Sequence, residues 1–145
     1  KREPFFRALR CDKLILSALQ ATVDLHLGGA LSDSIPVLGM LSVSNDELKA
    51  RGESIVGALG RLSLKAKLGL GEAQIGGGAL PRTIIPSTTV ELSSRDIAPN
   101  EFAARLRSGS PPVVGTIANG RYKLNLRTVF PHQDEQLIRA ISATC

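Results

Sequence analysis

The sequence predicts an α+β fold: a small antiparallel or mixed sheet covered on one face by helices. Three observations carry that prediction. Residues 61–70 alternate strictly between apolar and polar, the mark of a strand with one face on a core and one in water. Two further strand-like runs flank Asn119-Gly120, a favoured hairpin turn. Between and around these runs lie segments with helical apolar spacing. Strands with a single apolar face need a cover on that face only, and helices supply it.

In chain order, the first element is a helix over Asp12 to Leu27, with Asp12 as its cap. Leu14, Ala18, Ala21 and Leu25 form one stripe, and Gly28-Gly29 end it. Leu31 to Leu41 contains Asp33, Ser34 and Pro36, which predicts a connection followed by a short extended run over Ile35 to Leu41. Ser44 and Glu47 then match a capping box. They open a helix that presents Leu48, Ile55, Val56 and Leu59 and ends near Gly60.

The period changes at Arg61. Leu62, Leu64, Ala66, Leu68 and Leu70 point one way, and Ser63, Lys65, Lys67 and Gly69 the other. A loop, GEAQIGGGALP, follows, with strand-like segments at Thr83 to Ile85 and Thr88 to Leu92. Pro99 to Leu106 reads as a helix with proline in its first turn and Gly109 just past its end. Val113 to Ala118 and Arg121 to Val129 form the hairpin. Pro131 opens a last helix with Leu137, Ile138 and Ile141 on its buried side.

A chain of 145 residues is the size of one core. Aromatic residues make up only 3%, so that core is aliphatic. The net charge is +5, and arginine supplies 12 of the 18 basic residues. That balance leans slightly toward carboxylate or phosphate partners, and a solvated basic face accounts for it better. Cys11 and Cys145 lie at opposite ends, outside any disulfide framework, and read as free thiols of a reducing compartment. Cys11 is expected as a half-buried small residue at the head of the first helix. No apolar run approaches the roughly 20 residues of a membrane span. The opening KREPFF resembles neither an initiator segment nor a targeting peptide, so the chain is expected to be the C-terminal part of something longer.

Familiar catalytic constellations are missing. His26 and His132 have no ligand partners at metal-site spacing. No nucleophile elbow, zincin or phosphate-loop pattern occurs. Gly69-x-Gly71 begins a dinucleotide fingerprint, but its sixth position is Gln74. Three features remain. Arg7 and Arg10, at i and i+3, would aim two guanidinium forks at one place, as a surface pair or as an anion clamp. Gly76, Gly77 and Gly78 form either a flexible turn or a close backbone approach to a ligand or neighbouring chain. Arg127 shares a predicted strand face with Arg121, Lys123 and Asn125, which points to solvent.

RALRCDKLILSALQATVDLHL, IPVLGMLSVSNDELKARGESI, GEAQIGGGALP and PPVVGTIANGRYKLNLRTV also stand in a telling order. Together they resemble the C-terminal part of the bacterial selenocysteine synthase family, the L-seryl-tRNA(Sec) selenium transferases. The resemblance runs from about Pro4 to Ile141. Its most specific pieces are R-A-L-R-x-D-K, Q-x-G-G-G-x-L-P and G-R-x-x-L-x-L-R-T-V. It implies a fold-type-I enzyme dependent on pyridoxal 5'-phosphate. Residues 1–29 would be the inter-domain linking segment and helix, and residues 30–145 the small C-terminal α+β domain. The large cofactor-binding domain and its Schiff-base lysine would lie upstream, so Lys13 is not that lysine and the fragment alone is inactive. Cys11 stands where the family commonly has an aliphatic residue and inherits no role.

On this resemblance Arg7 and Arg10 bind the anionic selenium donor, selenophosphate. Arg127 is a candidate for the same pocket or for a substrate carboxylate, and Gly76, Gly77 and Gly78 would line the approach. The implied reaction converts seryl-tRNA(Sec) to selenocysteinyl-tRNA(Sec) in a cytoplasmic homo-oligomer of dimers, a decamer. Two alternatives remain open at this level. One is a related pyridoxal-phosphate lyase or ammonia-lyase acting on a small substrate without tRNA; the other is a non-enzymatic binding domain.

Overall fold

The computed structural model describes residues 11–29, 34–75 and 84–144. The chain divides into two compact units, Lys1–Ser42 and Val43–Cys145.

The first unit holds α1, Lys13–Leu27. Asp12 caps it as expected, its Oδ1 accepting the Ile15 N–H at 2.9 Å. Gly28 closes the other end, its N–H reaching the Asp24 carbonyl. Cys11 is exposed, not half-buried. The expected extended run over Ile35 to Leu41 is instead a short helix, α2, Pro36–Ser42. Proline pre-sets the φ of a first helical turn, and the Leu38 and Gly39 N–H groups both reach back to the Ile35 carbonyl. An apolar run this short has no period of its own to tell strand from helix.

The second unit begins with α3, Asn45–Leu59, on the predicted capping box. Ser44 Oγ accepts the Glu47 N–H, while the Glu47 carboxylate accepts the Ser44 N–H at 2.9 Å. The Ser44 backbone and side-chain hydrogen bonds hold the Glu47 carboxyl below its ordinary pKa. The strands are β1, Lys65–Gln74, β2, Ile84–Ser93, β3, Thr116–Ala118, and β4, Arg121–Asn125. They pair antiparallel throughout, in the order β1-β2-β4-β3. Helix α4, Pro99–Ser108, precedes β3, and α5, Asp134–Thr144, ends the described chain.

Register decides which side chains meet the helices. Leu68, Val90 and Leu124 occupy neighbouring positions on adjacent strands, as do Ala66, Leu92 and Tyr122. These rows join Leu48, Ile55 and Leu59 of α3, Phe102 and Leu106 of α4, and Ile141 of α5 in one core. The Phe102 and Tyr122 rings meet edge to face, centroids 5.7 Å apart. Gly52 lets α3 lie flat on the sheet: a Cβ there would come within 2.6 Å of Leu68 Cδ2 and 3.1 Å of Leu126 Cδ1. Arg51 ties α3 to α5, with Nη2 2.6 Å from Asp134 Oδ1 and Nε 3.0 Å from Oδ2.

Several boundaries differ from the sequence reading: β1 runs on to Gln74 through the start of the expected loop, and the last α-helix begins at Asp134 after a 3₁₀ turn over Pro131–Gln133. The first strand starts at Lys65, because the Leu62 N–H turns back to the Leu59 carbonyl. Leu70 keeps the predicted side of β1 but lies beyond the cover of α3, 96% exposed. Over the described residues, the two segments expected here are one strand, Ile84–Ser93, running through Pro86. The expected strand over Val113 to Ala118 pairs only from Thr116, because Val113 is engaged elsewhere. Its N–H goes to the Leu106 carbonyl, and its own carbonyl takes the Tyr122 hydroxyl at 3.1 Å. The turn itself is as predicted, with Asn119 and Gly120 at φ 54° and 68°.

Candidate functional site

Arg7, Arg10, Gly76, Gly77 and Gly78 lie outside the described residues. Arg127 is described, and its solvent-facing strand position is overturned. The strand stops at Asn125, whose Oδ1 accepts the Arg127 N–H and caps a 3₁₀ turn over Leu126–Thr128. That turn swings Arg127 into the domain, where it is 5% exposed. Its Nη1 donates to the Val43 carbonyl at 2.8 Å, and its Nη2 donates to the Pro86 carbonyl at 2.8 Å and to Asn45 Oδ1 at 3.2 Å. One guanidinium thus joins the head of α3, the start of β2 and the turn after β4.

Beside this clamp, an open cleft of about 750 Å³ runs along the far end of the β1–β2 hairpin. Asn45, Asp46 and Lys49 of α3 border it on one side, and Glu72, Thr89, Thr116, Lys123 and Asn125 belong to its sheet side. Asn125 organises the floor. Its Oδ1 accepts the Ser87 hydroxyl at 2.6 Å, and its Nδ2 donates to the Glu72 carbonyl at 3.0 Å. Among the described residues the lining mixes hydroxyls and amides with the charged Asp46, Lys49, Glu72 and Lys123 and the apolar Leu70, Ile84 and Pro86, with neither histidine nor cysteine. It can bind a polar group, but among the described residues it holds no nucleophile with a base beside it.

At the edge of the cleft stands a charge cluster that the sequence reading missed. Lys67, Glu91, Lys123 and Thr116 form one row across all four strands. Glu91 Oε1 lies 2.6 Å from Lys123 Nζ, and Oε2 lies 3.3 Å from Lys67 Nζ and 3.9 Å from Arg121 Nε. The three cations close over the carboxylate, leaving its side chain 9% exposed. The hydrogen bond from Lys123 holds the Glu91 carboxyl below its ordinary pKa, against the opposing effect of burial, and Lys67 adds to it. Gly69 makes room for this: a Cβ there would sit 2.5 Å from Glu91 Oε1 and 2.9 Å from Thr89 Oγ1. Alternation of lysine with glycine along β1 was the available signal. The partner strands were not assignable without the register.

Because the folded pKa of Glu91 is depressed, its contribution to stability is present above the ordinary carboxylate range. That contribution is lost as pH falls through the folded value. Urea midpoints followed from about pH 6 to about pH 3 should therefore drop more steeply in the native protein than in Glu91→Gln. Parallel curves would show that the cluster contributes nothing.

Among the described residues no group of histidine, cysteine, aspartate or glutamate could hold a metal ion. Lys13, Lys49, Lys65 and Lys67 are exposed, and Lys123 is bound to Glu91. No helix among the described residues is long and apolar enough to cross a membrane.

Comparison with known proteins accounts for a domain with a built framework and an incomplete site. The sequence profile described as L-seryl-tRNA selenium transferase matches residues 1–130. The protein of that name from Geobacter sulfurreducens is 36% identical over 97% of this chain and 31% of its own length. Its counterpart from Geobacter metallireducens is 38% identical over 94% of this chain and 30% of its own length. In Carboxydothermus hydrogenoformans the figures are 33%, 92% and 29%. The chain thus spans under a third of the length of these curated relatives, and within that span it belongs to the L-seryl-tRNA selenium transferase family.

Proposed function

We propose that this chain is the C-terminal part of a pyridoxal-phosphate-dependent L-seryl-tRNA(Sec) selenium transferase of fold type I. The observation that carries the reading is the continuous family match over residues 1–130, joined to relatives of that name over more than nine-tenths of the chain. The whole protein exchanges the seryl hydroxyl of seryl-tRNA(Sec) for selenium from selenophosphate, giving selenocysteinyl-tRNA(Sec) and phosphate. Pyridoxal phosphate supplies the electron sink for the α-carbon and is held by polypeptide outside this chain.

Arg7 and Arg10 are the anion-binding pair on this reading. Guanidinium forks at i and i+3 can grip one multiply charged oxyanion through paired, charge-assisted hydrogen bonds. Gly76, Gly77 and Gly78 line the approach. The protein works in the cytoplasm as a homo-oligomer of dimers, a decamer.

Two measurements test this. Full-length enzyme should convert seryl-tRNA(Sec) in a selenophosphate-dependent reaction. Turnover of a small hydroxy or amino acid with no action on the tRNA would replace the assignment. Replacing both Arg7 and Arg10 with alanine should weaken donor binding by about 1.5–3 kcal/mol for each charge-assisted hydrogen bond removed, with the fold intact. Unchanged donor saturation would remove the pair from the site.

A further inference from the structure

We propose that the sheet face opposite α3 and α4 is a docking surface for the sugar–phosphate backbone of the tRNA, an assignment that rests on the tRNA reading above. The antiparallel register puts Lys65 and Lys67 of β1 on this face with Arg121 and Lys123 of β4. Lys65 and Lys67 stand about 7 Å apart along their strand, and Lys67 and Lys123 about 10 Å apart across two strand spacings. Among the described strand residues Glu91 is the one carboxylate of these rows, while Asp46 and Glu72 line the adjoining cleft. Glu91 is already shared by Lys67, Lys123 and Arg121, so the face keeps a clear positive excess.

Shape and chemistry narrow the partner. Beside the basic rows, Gly69 and Gly71 leave β1 without side chains, and Thr89 and Ser87 face them from β2. The space a Cβ would take at Gly71 is filled by Thr89 Cγ2, 2.5 Å away, so the Thr89 side chain lies across this strip beside the basic rows. Thr89 is 6% exposed, and its Oγ1 has no hydrogen-bond partner among the described residues, at the rim of the cleft. A buried hydroxyl left without a partner is rare in a finished structure and marks a place where another group arrives. Asn125 and Thr116 continue the polar lining.

Lysine, arginine, threonine, serine and asparagine are the side chains that contact phosphate and sugar. No aromatic ring stands on this face among the described residues, so bases are not stacked there. A backbone-reading surface is what a structured RNA meets, through phosphates and 2'-hydroxyls and without sequence readout.

The test is equilibrium binding of seryl-tRNA(Sec) to the full-length enzyme at several salt concentrations. Lys65→Gln with Lys67→Gln removes two exposed charges. It should raise Kd about tenfold and flatten the log–log salt dependence by about one for each phosphate no longer neutralised. Glu91→Gln should act in the opposite direction and tighten binding, which damage to the fold would not do. Unchanged affinity and slope in the double variant, with native enzyme binding normally, overturn the surface alone. Loss of subunit association with tRNA affinity unchanged assigns the face to a protein contact and overturns it as well. Failure of the native enzyme to retain the tRNA at all takes down the functional reading, and this surface with it.

Discussion

Replacing Arg127 with methionine should destabilise the Val43–Cys145 unit by about 3 kcal/mol, through the loss of several hydrogen bonds from a charged donor worth about 1.5–3 kcal/mol each. Methionine fills a similar volume but donates nothing. The Val43 and Pro86 carbonyls and the Asn45 amide oxygen would lose the bonds they now accept at 2.8–3.2 Å. Val43 is half-buried and Asn45 and Pro86 are exposed, so water takes over part of what each acceptor loses. Lysine should not rescue the variant, because one ammonium cannot reproduce the planar fork that spans these acceptors. Denaturant unfolding reads the loss, and amide exchange around Val43–Leu48 and Pro86–Thr88 locates it. A midpoint equal to that of the native protein would show that the clamp is not structural.

The second large effect is expected at Gly115. A Cβ there would lie 2.5 Å from the Lys123 carbonyl oxygen and 2.8 Å from Tyr122 Cζ. Neither neighbour can yield. The carbonyl belongs to the β4 backbone, and Tyr122 is fixed by its bond to the Val113 carbonyl and by Phe102. Gly115→Ala should therefore cost about 3 kcal/mol, at the upper end of overpacking penalties, and unpin β3 from β4. The tyrosine offers an independent readout. Burial raises the Tyr122 phenol above its ordinary pKa. A variant that opens this corner should show the phenol titrating closer to its ordinary value in ultraviolet absorbance. An alanine variant as stable as the native protein would mean that the backbone absorbs the added methyl group.

The two predictions differ in how much of them is legible in the sequence. The Ser44–Glu47 capping box, the Asp12 cap and the Asn119-Gly120 turn are local chemistry, settled by residues within a few positions of one another. The structure shows each of them. Helical spacing likewise picks out Leu48, Ile55, Leu59, Leu137 and Ile141, all buried. The errors fall where a distant partner overrides local pattern. Alternation carried on past Asn125 predicts a solvent face for Arg127. The Asn125 side chain, by contrast, ends the strand through bonds to Ser87, Glu72 and the next turn. Val113 looks like strand and is held by α4 and Tyr122 instead.

The sequence by itself determined the fold class, the caps at Asp12 and Ser44, the hairpin turn and the family resemblance. These rest on periodicity, capping chemistry and the order of short blocks, and each is legible within a short window of chain. Only the tertiary structure decided that Arg127 is a clamp, that Glu91 is enclosed by Lys67, Lys123 and Arg121, and that Gly69 and Gly115 must be glycine. The reason is physical: each depends on groups far apart in sequence. Arg127 reaches Val43 and Pro86 across the fold, and a shift of one residue in the strand pairing would break the row of Lys67, Glu91 and Lys123.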